Sequence, residues 1–161
     1  MTSFLARRRF AGWLAAGSAT LAWPVLARDT ALPVPASLQA AAKAAASQRE
    51  PLVLLVSLAG CPYCELVRRN YLLPMRAEGL HAWQIDVTDD RSVIRGFSGE
   101  SATGAKLAQR WKAAFTPTVL FFGAEGEELA PRILGIAVPD FYGHYLHEAL
   151  AGARKKLYDK A

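Results

Sequence analysis

Cysteine is nearly absent from this 161-residue chain: there are two, Cys61 and Cys64. Because both belong to one Cys61-Pro62-Tyr63-Cys64 motif, no disulfide framework is available to hold the fold together. A structural zinc site is excluded too, since it needs about four ligands. Charge of one sign is also scarce. The formal net charge is +5, but residues 1–27 contain three arginines and no acid, so the remainder has 16 basic and 14 acidic side chains, a net of +2. That balance gives nucleic-acid binding no support. Arg154-Lys155-Lys156 near the C-terminus is a solvated end that complements a helix dipole. No unbroken apolar run is long enough to argue for a permanent membrane span, and no internal repeat occurs.

Residues 1–27 have the layout of a cleavable export signal. Arg7, Arg8 and Arg9 supply the positive end, Phe10 to Ala22 the apolar stretch, and Val25-Leu26-Ala27 a cleavage site. Gly12, Gly17, Ser18 and Thr20 weaken the stretch and Pro24 stops it. Arg7-Arg8-Arg9-Phe10 also resembles a twin-arginine signal, so either export route fits. The expected location is a bacterial periplasm. Residues 28–161 are then one domain of 134 residues, and with 52% hydrophobic residues in the whole chain it can build a core from apolar packing.

Hydrophobic patterning gives the order α-β-α-β-α-β-β-α. Ser37 caps a helix running to about Gln48, whose Ala-rich face predicts weak packing. Leu52 to Leu58 is a buried strand, and the helix after the dithiol is kinked or stopped at Pro74. Trp83 to Val87 is a second strand, Thr88 to Gly104 a polar loop or irregular insertion, and Lys106 to Ala114 a helix with Leu107 and Trp111 on one face. Thr118 to Phe122 and Leu129 to Ile136 form a hairpin across Gly123-Ala124-Glu125-Gly126. A closing helix from Pro139 to about Tyr158 is led by Phe141, Tyr145, Leu146 and Leu150. This order implies an α/β fold with a mixed sheet and helices on both faces.

The dithiol sits where a buried strand turns into a helix. Orphan amides and the dipole at the helix N-terminus favour a thiolate at Cys61, with a pKa of about 5–7 ordinary for such motifs against roughly 8.5 for a free thiol. Pro62 suits the first helical position because its missing N–H has no intrahelical partner there. Cys64, one turn inward, is placed to resolve a mixed disulfide.

Three landmarks carry a resemblance to the thioredoxin fold family: the strand into Cys61-Pro62-Tyr63-Cys64, the Phe115-Thr116-Pro117-Thr118 step into a strand, and Gly135 on the last strand. The match covers roughly residues 52–150, and within the family the chain looks like the periplasmic SoxW-type thioredoxins. The resemblance implies a thioredoxin-like fold with a central mixed four-stranded sheet flanked by helices. It makes Cys61 and Cys64 catalytic, and Pro117 a cis proline facing them, at a cost of about 0.5–1 kcal/mol for an X–Pro bond. It assigns substrate contacts to Thr116, Pro62 and Tyr63. No cofactor is implied beyond the redox-active disulfide, and no metal. The chain departs from cytosolic thioredoxins at Leu55, where they carry a buried aspartate, and at Gly60, where they carry a tryptophan.

The function implied is a periplasmic thiol–disulfide oxidoreductase acting on protein disulfides. The reducing direction fits a chain that shows no dimerisation domain, so a monomer is expected, with a membrane electron donor of the CcdA/DsbD kind. A disulfide oxidase or isomerase is the alternative in class. A Cu(I)-delivery module using the two thiolates is the alternative outside it, and a redox-inactive docking domain is a third. Glu65 either shuttles a proton for Cys64 or complements the helix dipole. His144 and His147 lie one turn apart, a spacing that can bind metal, but they read as surface residues, and His81 is uninformative.

Overall fold

The computed structural model describes residues 30–159; the export-signal reading of residues 1–27 lies outside them. Leu52–Ser57 forms β1, and all six residues are buried. Such a strand must be covered on both faces. It pairs in parallel with β2 (Ala82–Asp86) and antiparallel with β5 (Thr118–Phe122), which pairs antiparallel with β6 (Ile133–Leu134). The strand order β2-β1-β5-β6 is a mixed four-stranded sheet.

Side-chain alternation splits the core in two. Val53, Leu55, Val119 and Phe121 face the dithiol helix (Val67, Leu72) and the closing helix α5 (Tyr142–Asp159). Leu52, Leu54, Val56, Leu120 and Phe122 face α1 (Leu38–Ser47) and α4 (Gly104–Arg110).

Several expectations need correction. The Ala-rich α1 does not pack weakly: Leu38, Ala41, Ala42 and Ala45 are all buried against the sheet. Alanine on that face lets the helix axis approach closely, so a thin apolar stripe suffices. Ser37 does cap it, accepting from the Ala40 N–H at 3.2 Å. Of the two outcomes expected at Pro74, the dithiol helix does not stop there, and it ends before Gly79. It runs as α2 (Pro62–Val67), a π-helical turn (Arg68–Leu72) and α3 (Leu73–Ala77). The widened turn, in which Leu73 N–H reaches Arg68 O, carries the chain into Pro74, whose ring and missing N–H oppose an ordinary α-turn.

Segment 88–104 contains a small hairpin, β3 (Ile94–Arg95) with β4 (Ser101–Ala102), so it is not simply a loop. Arg95 N–H donates to Ala36 O, and Phe97 packs on Phe122 with ring centroids 4.9 Å apart. Asp89 accepts from the N–H groups of Arg91 and Ser92; the Ser92 backbone bond is the largest cause holding its carboxyl below the usual range.

The returning strand is shorter than its apolar pattern suggests. Glu128 bridges to Phe122, Pro131 can donate nothing to the ladder, and regular pairing resumes only at Ile133. The closing helix buries Tyr142, Leu146, Leu150 and Ala153, while Phe141 and Tyr145 are exposed. Leu146 and Leu150 set the phase of the stripe, and Tyr142 extends it one turn back. Trp111 is only partly buried, with Phe122 and Phe97 as ring neighbours.

Because α1 is integral to the second core, Leu38→Ala is expected to lower the unfolding free energy of the oxidised protein by about 2–5 kcal/mol. Urea titration checks this; a loss under about 0.5 kcal/mol, typical of surface positions, would make the helix peripheral.

Candidate active site

The dithiol is placed by the end of β1. After Ser57 the chain takes three residues, Leu58-Ala59-Gly60, to reach Cys61, and Gly60 turns it at φ +75°, a conformation that favours glycine. Asp86, the last residue of β2, anchors this loop. Its carboxylate accepts from Ala59 N–H at 2.9 Å and from the N–H and hydroxyl of Thr88 at 2.7 and 2.6 Å.

Cys61 is the N-cap of α2, with Pro62 first in the helix. Its Sγ accepts from the Cys64 N–H at 3.2 Å, so one of the helix's orphan donors is aimed at sulfur. The two cysteines form a disulfide, with Cα atoms 5.3 Å apart. Cys61 is half-buried and Cys64 has no exposed surface, so an incoming partner can reach only the first sulfur.

The Thr116–Pro117 peptide bond is cis, and the Thr116 hydroxyl lies 4.0 Å from Cys61 Sγ. The two motifs, 55 residues apart in sequence, therefore meet at one sulfur. Gly135 closes this corner by donating its N–H to Pro117 O at 2.7 Å. A Cβ at Gly135 would come within 2.9 Å of the Phe115 ring, and its φ of +62° disfavours any side chain. Phe115 and Tyr63 stand exposed near the two motifs, at 64% and 61%. Beside Gly135, an open groove of about 490 Å³ runs between β6 and α5, lined by Ile133, Leu134, Val138, Tyr142 and Tyr145 among others. Burial, then the neighbouring Tyr71, pushes the Tyr142 phenol well above its ordinary value, so it stays neutral.

The model of the thioredoxin-like domain matches residues 38–150. The chain belongs to that family. No curated protein matches the chain. Among solved structures it is similar to oxidised thioredoxin O2 from Arabidopsis thaliana, at 15% identity over 74% of this chain and 96% of that one, with a TM-score of 0.48. It is also similar to the periplasmic thioredoxin SoxS from Paracoccus pantotrophus (18% identity, 65% and 99% coverage, TM-score 0.40) and to a DsbH oxidoreductase (14%, 87% and 95%, TM-score 0.48). A thioredoxin-like domain carrying a closed Cys61–Cys64 disulfide has the equipment of a thiol–disulfide oxidoreductase.

Two polar residues at this site escaped the sequence reading. Asp86 fell within the strand read over Trp83 to Val87, yet its carboxylate holds the loop that delivers Cys61. Arg68 stands beside the exposed Arg69, and the sequence reading gave it no role. Its side chain is only 8% exposed, and its guanidinium donates to Ser57 Oγ at 2.9 Å, to Gln84 Oε1 at 2.7 Å and to the Glu65 carboxylate. The signal was there in the spacing: Cys64, Val67, Arg68 and Leu72 share one helical stripe. Glu65 is paired with both Arg68 and Arg69, which supports a structural charge over a free proton carrier. Among the described residues no group of three or more His, Cys, Asp or Glu could hold a metal. His144 neighbours Tyr145, and His147 lines a separate polar groove with Glu50 and Arg154.

Asp86→Ala strips three donors of their acceptor at once. The expected loss is about 1.5–3 kcal/mol of stability, the scale of hydrogen bonds to a charged group, together with slower alkylation of Cys61 in the reduced protein. Urea titration and iodoacetamide kinetics read the two effects separately.

Proposed function

We propose that the protein is an exported, periplasmic thiol–disulfide oxidoreductase of the SoxW-type branch that reduces disulfides in other proteins. The observation that carries this reading is a half-exposed Cys61 sulfur at a helix N-terminus, with the Cys64 N–H on one side and the Thr116–Pro117 corner on the other. In the reduced protein those donors favour the Cys61 thiolate, which attacks one sulfur of a substrate disulfide. The substrate S–S bond breaks, and the departing sulfur leaves as a thiolate and takes a proton from water. Cys64 then attacks Cys61 Sγ, the mixed disulfide breaks, and the second substrate thiol departs. The enzyme is left in the closed disulfide state seen here.

Pro117, lacking an N–H, cannot complete a ladder at the entrance to β5, and the Thr116 backbone beside it receives an extended substrate segment. Pro62 and Tyr63 border the same opening. Two electrons from a membrane thiol carrier of the CcdA/DsbD kind restore the dithiol. The leader-like residues 1–27 support export, and among the described residues no helix is long and apolar enough to cross a membrane. The protein acts as a monomer in this reading. The Cu(I) alternative is disfavoured because Thr116 stands beside Cys61 Sγ, where a further ligand would sit.

In an insulin-reduction assay driven by dithiothreitol, the wild-type protein is expected to accelerate precipitation and Cys61→Ser to fall to background. Cys64→Ser is expected to accumulate a covalent mixed disulfide visible on non-reducing gels. Turnover retained by Cys61→Ser would defeat the assignment. Redox titration against glutathione decides direction: a potential near about −270 mV favours a reductant, and one near about −120 mV an oxidant.

A further inference from the structure

A second question about the dithiol is how the buried sulfur becomes a nucleophile. Cys64 has no exposed surface, and burial in apolar surroundings raises a thiol pKa. Resolution of the mixed disulfide nevertheless requires its thiolate. Leu55, fully buried in β1, can supply no base for it. Neither β1 (Leu52–Ser57) nor β5 (Thr118–Phe122) contains an ionisable side chain.

What the site has instead is a cation. Arg68 is the only charged side chain among the buried residues described. It lies one helical turn after Cys64, with its backbone N–H bonded to Cys64 O, so both side chains project from the same stripe. An unsupported guanidinium in such a place is costly, and three acceptors hold it: Ser57 Oγ, Gln84 Oε1 and Glu65. Two of these are neutral. Glu65 is the sole counter-charge among them, its side chain is 45% exposed, and it is shared with Arg69. The positive charge is therefore buried while its neutralising partner is partly in water, which leaves a net positive field on the inner side of the helix.

We infer that Arg68 is a positioning residue of the reaction: its buried guanidinium favours the Cys64 thiolate and so sets the rate at which the mixed disulfide resolves. This rests on the oxidoreductase reading above. The chemistry balances simply. Cys64 gives its proton to water, its thiolate bonds to Cys61 Sγ, and the substrate sulfur leaves with the electron pair and is protonated in turn. The other ionisable groups near this stripe are Asp86, whose carboxylate is taken up by Ala59 and Thr88, and the phenols of Tyr71 and Tyr142. Asp86 opposes the effect and the Tyr142 phenol stays neutral. Arg76 is directed away, to Ala82 O and the Trp83 ring.

The test is the thiolate absorbance of Cys64 against pH in the full chain with Cys61→Ala, which needs no substrate. Adding Arg68→Met is expected to raise the Cys64 pKa by about one unit, a tenfold loss of thiolate near neutral pH. Adding Glu65→Gln is expected to lower it by about half a unit, roughly threefold more thiolate. Arg68→Lys should keep the titration near the parent while lowering stability, because it retains charge but not the fork. In proteins with both cysteines, the acid limb of mixed-disulfide resolution should move with these pKa values, while alkylation of Cys61 changes little. Should Arg68→Met fail to fold, Glu65→Gln decides alone. Folded variants that titrate like the parent would overturn the inference. Loss of insulin reduction by the wild type would instead defeat the proposed function and leave the titration standing.

Discussion

The short path from Ser57 to Cys61 is the constraint on which the rest depends. A buried strand must end, and three residues must deliver a sulfur to the first turn of a helix that starts immediately. Such a loop has no packing of its own, so it is held from both sides. Asp86, at the end of the neighbouring parallel strand, takes the Ala59 N–H, and Arg68, one turn past the dithiol, takes the Ser57 hydroxyl. These ties join β1, β2 and the dithiol helix at one end of the sheet. Loss of the Asp86 tie in particular would free the loop that sets Cys61 opposite Thr116.

The same ties explain how two sulfurs in one small loop take different roles. Cys61 meets solvent and the dipole end of the helix, so its charge is favoured by backbone amides. Cys64 is sealed beneath it, out of reach of solvent. A difference in environment of this kind gives order to the exchange: the outer sulfur engages the partner, and the inner one acts only when the outer is already bonded. The closed disulfide is the resting end of that sequence.

Much of this was legible before any coordinates. Leu52 to Leu58 read as a buried strand, one residue longer than β1, and the Cys61-to-Cys64 spacing followed by a helical stripe located the dithiol at a helix start. Thr118–Phe122 was bounded correctly because Pro117 precedes it and Gly123 follows. What escaped had physical causes. The hairpin inside 88–104 is two residues on each strand, too short to leave a period, and is ordered by tertiary partners such as Ala36 and Phe122. The length of β6 was overestimated because Leu129 and Ala130 are apolar for reasons of burial, without regular pairing. In the closing helix, Phe141 and Tyr145 look like core by composition alone, and only the phase set by Leu146 and Leu150 exposes them.

Arg68 shows why charge is the hardest part of a site to read from a chain. Side by side with Arg69, it has the appearance of a solvated face, and nothing local distinguishes the two. They part because a helix turns about 100° per residue: Arg69 emerges at the surface, while Arg68 falls on the stripe that faces β1 and β2. There its guanidinium meets Ser57, the last residue of β1, and Gln84, in the middle of β2. Each looks like a minor break in a hydrophobic pattern. Together they form a socket, and its cost in apolar packing is intelligible if the charge inside it is required. A fold with no ionisable side chain in β1 or β5 has met the same electrostatic need from the opposite side of the charge scale, by placing a cation behind the thiolate in place of a base.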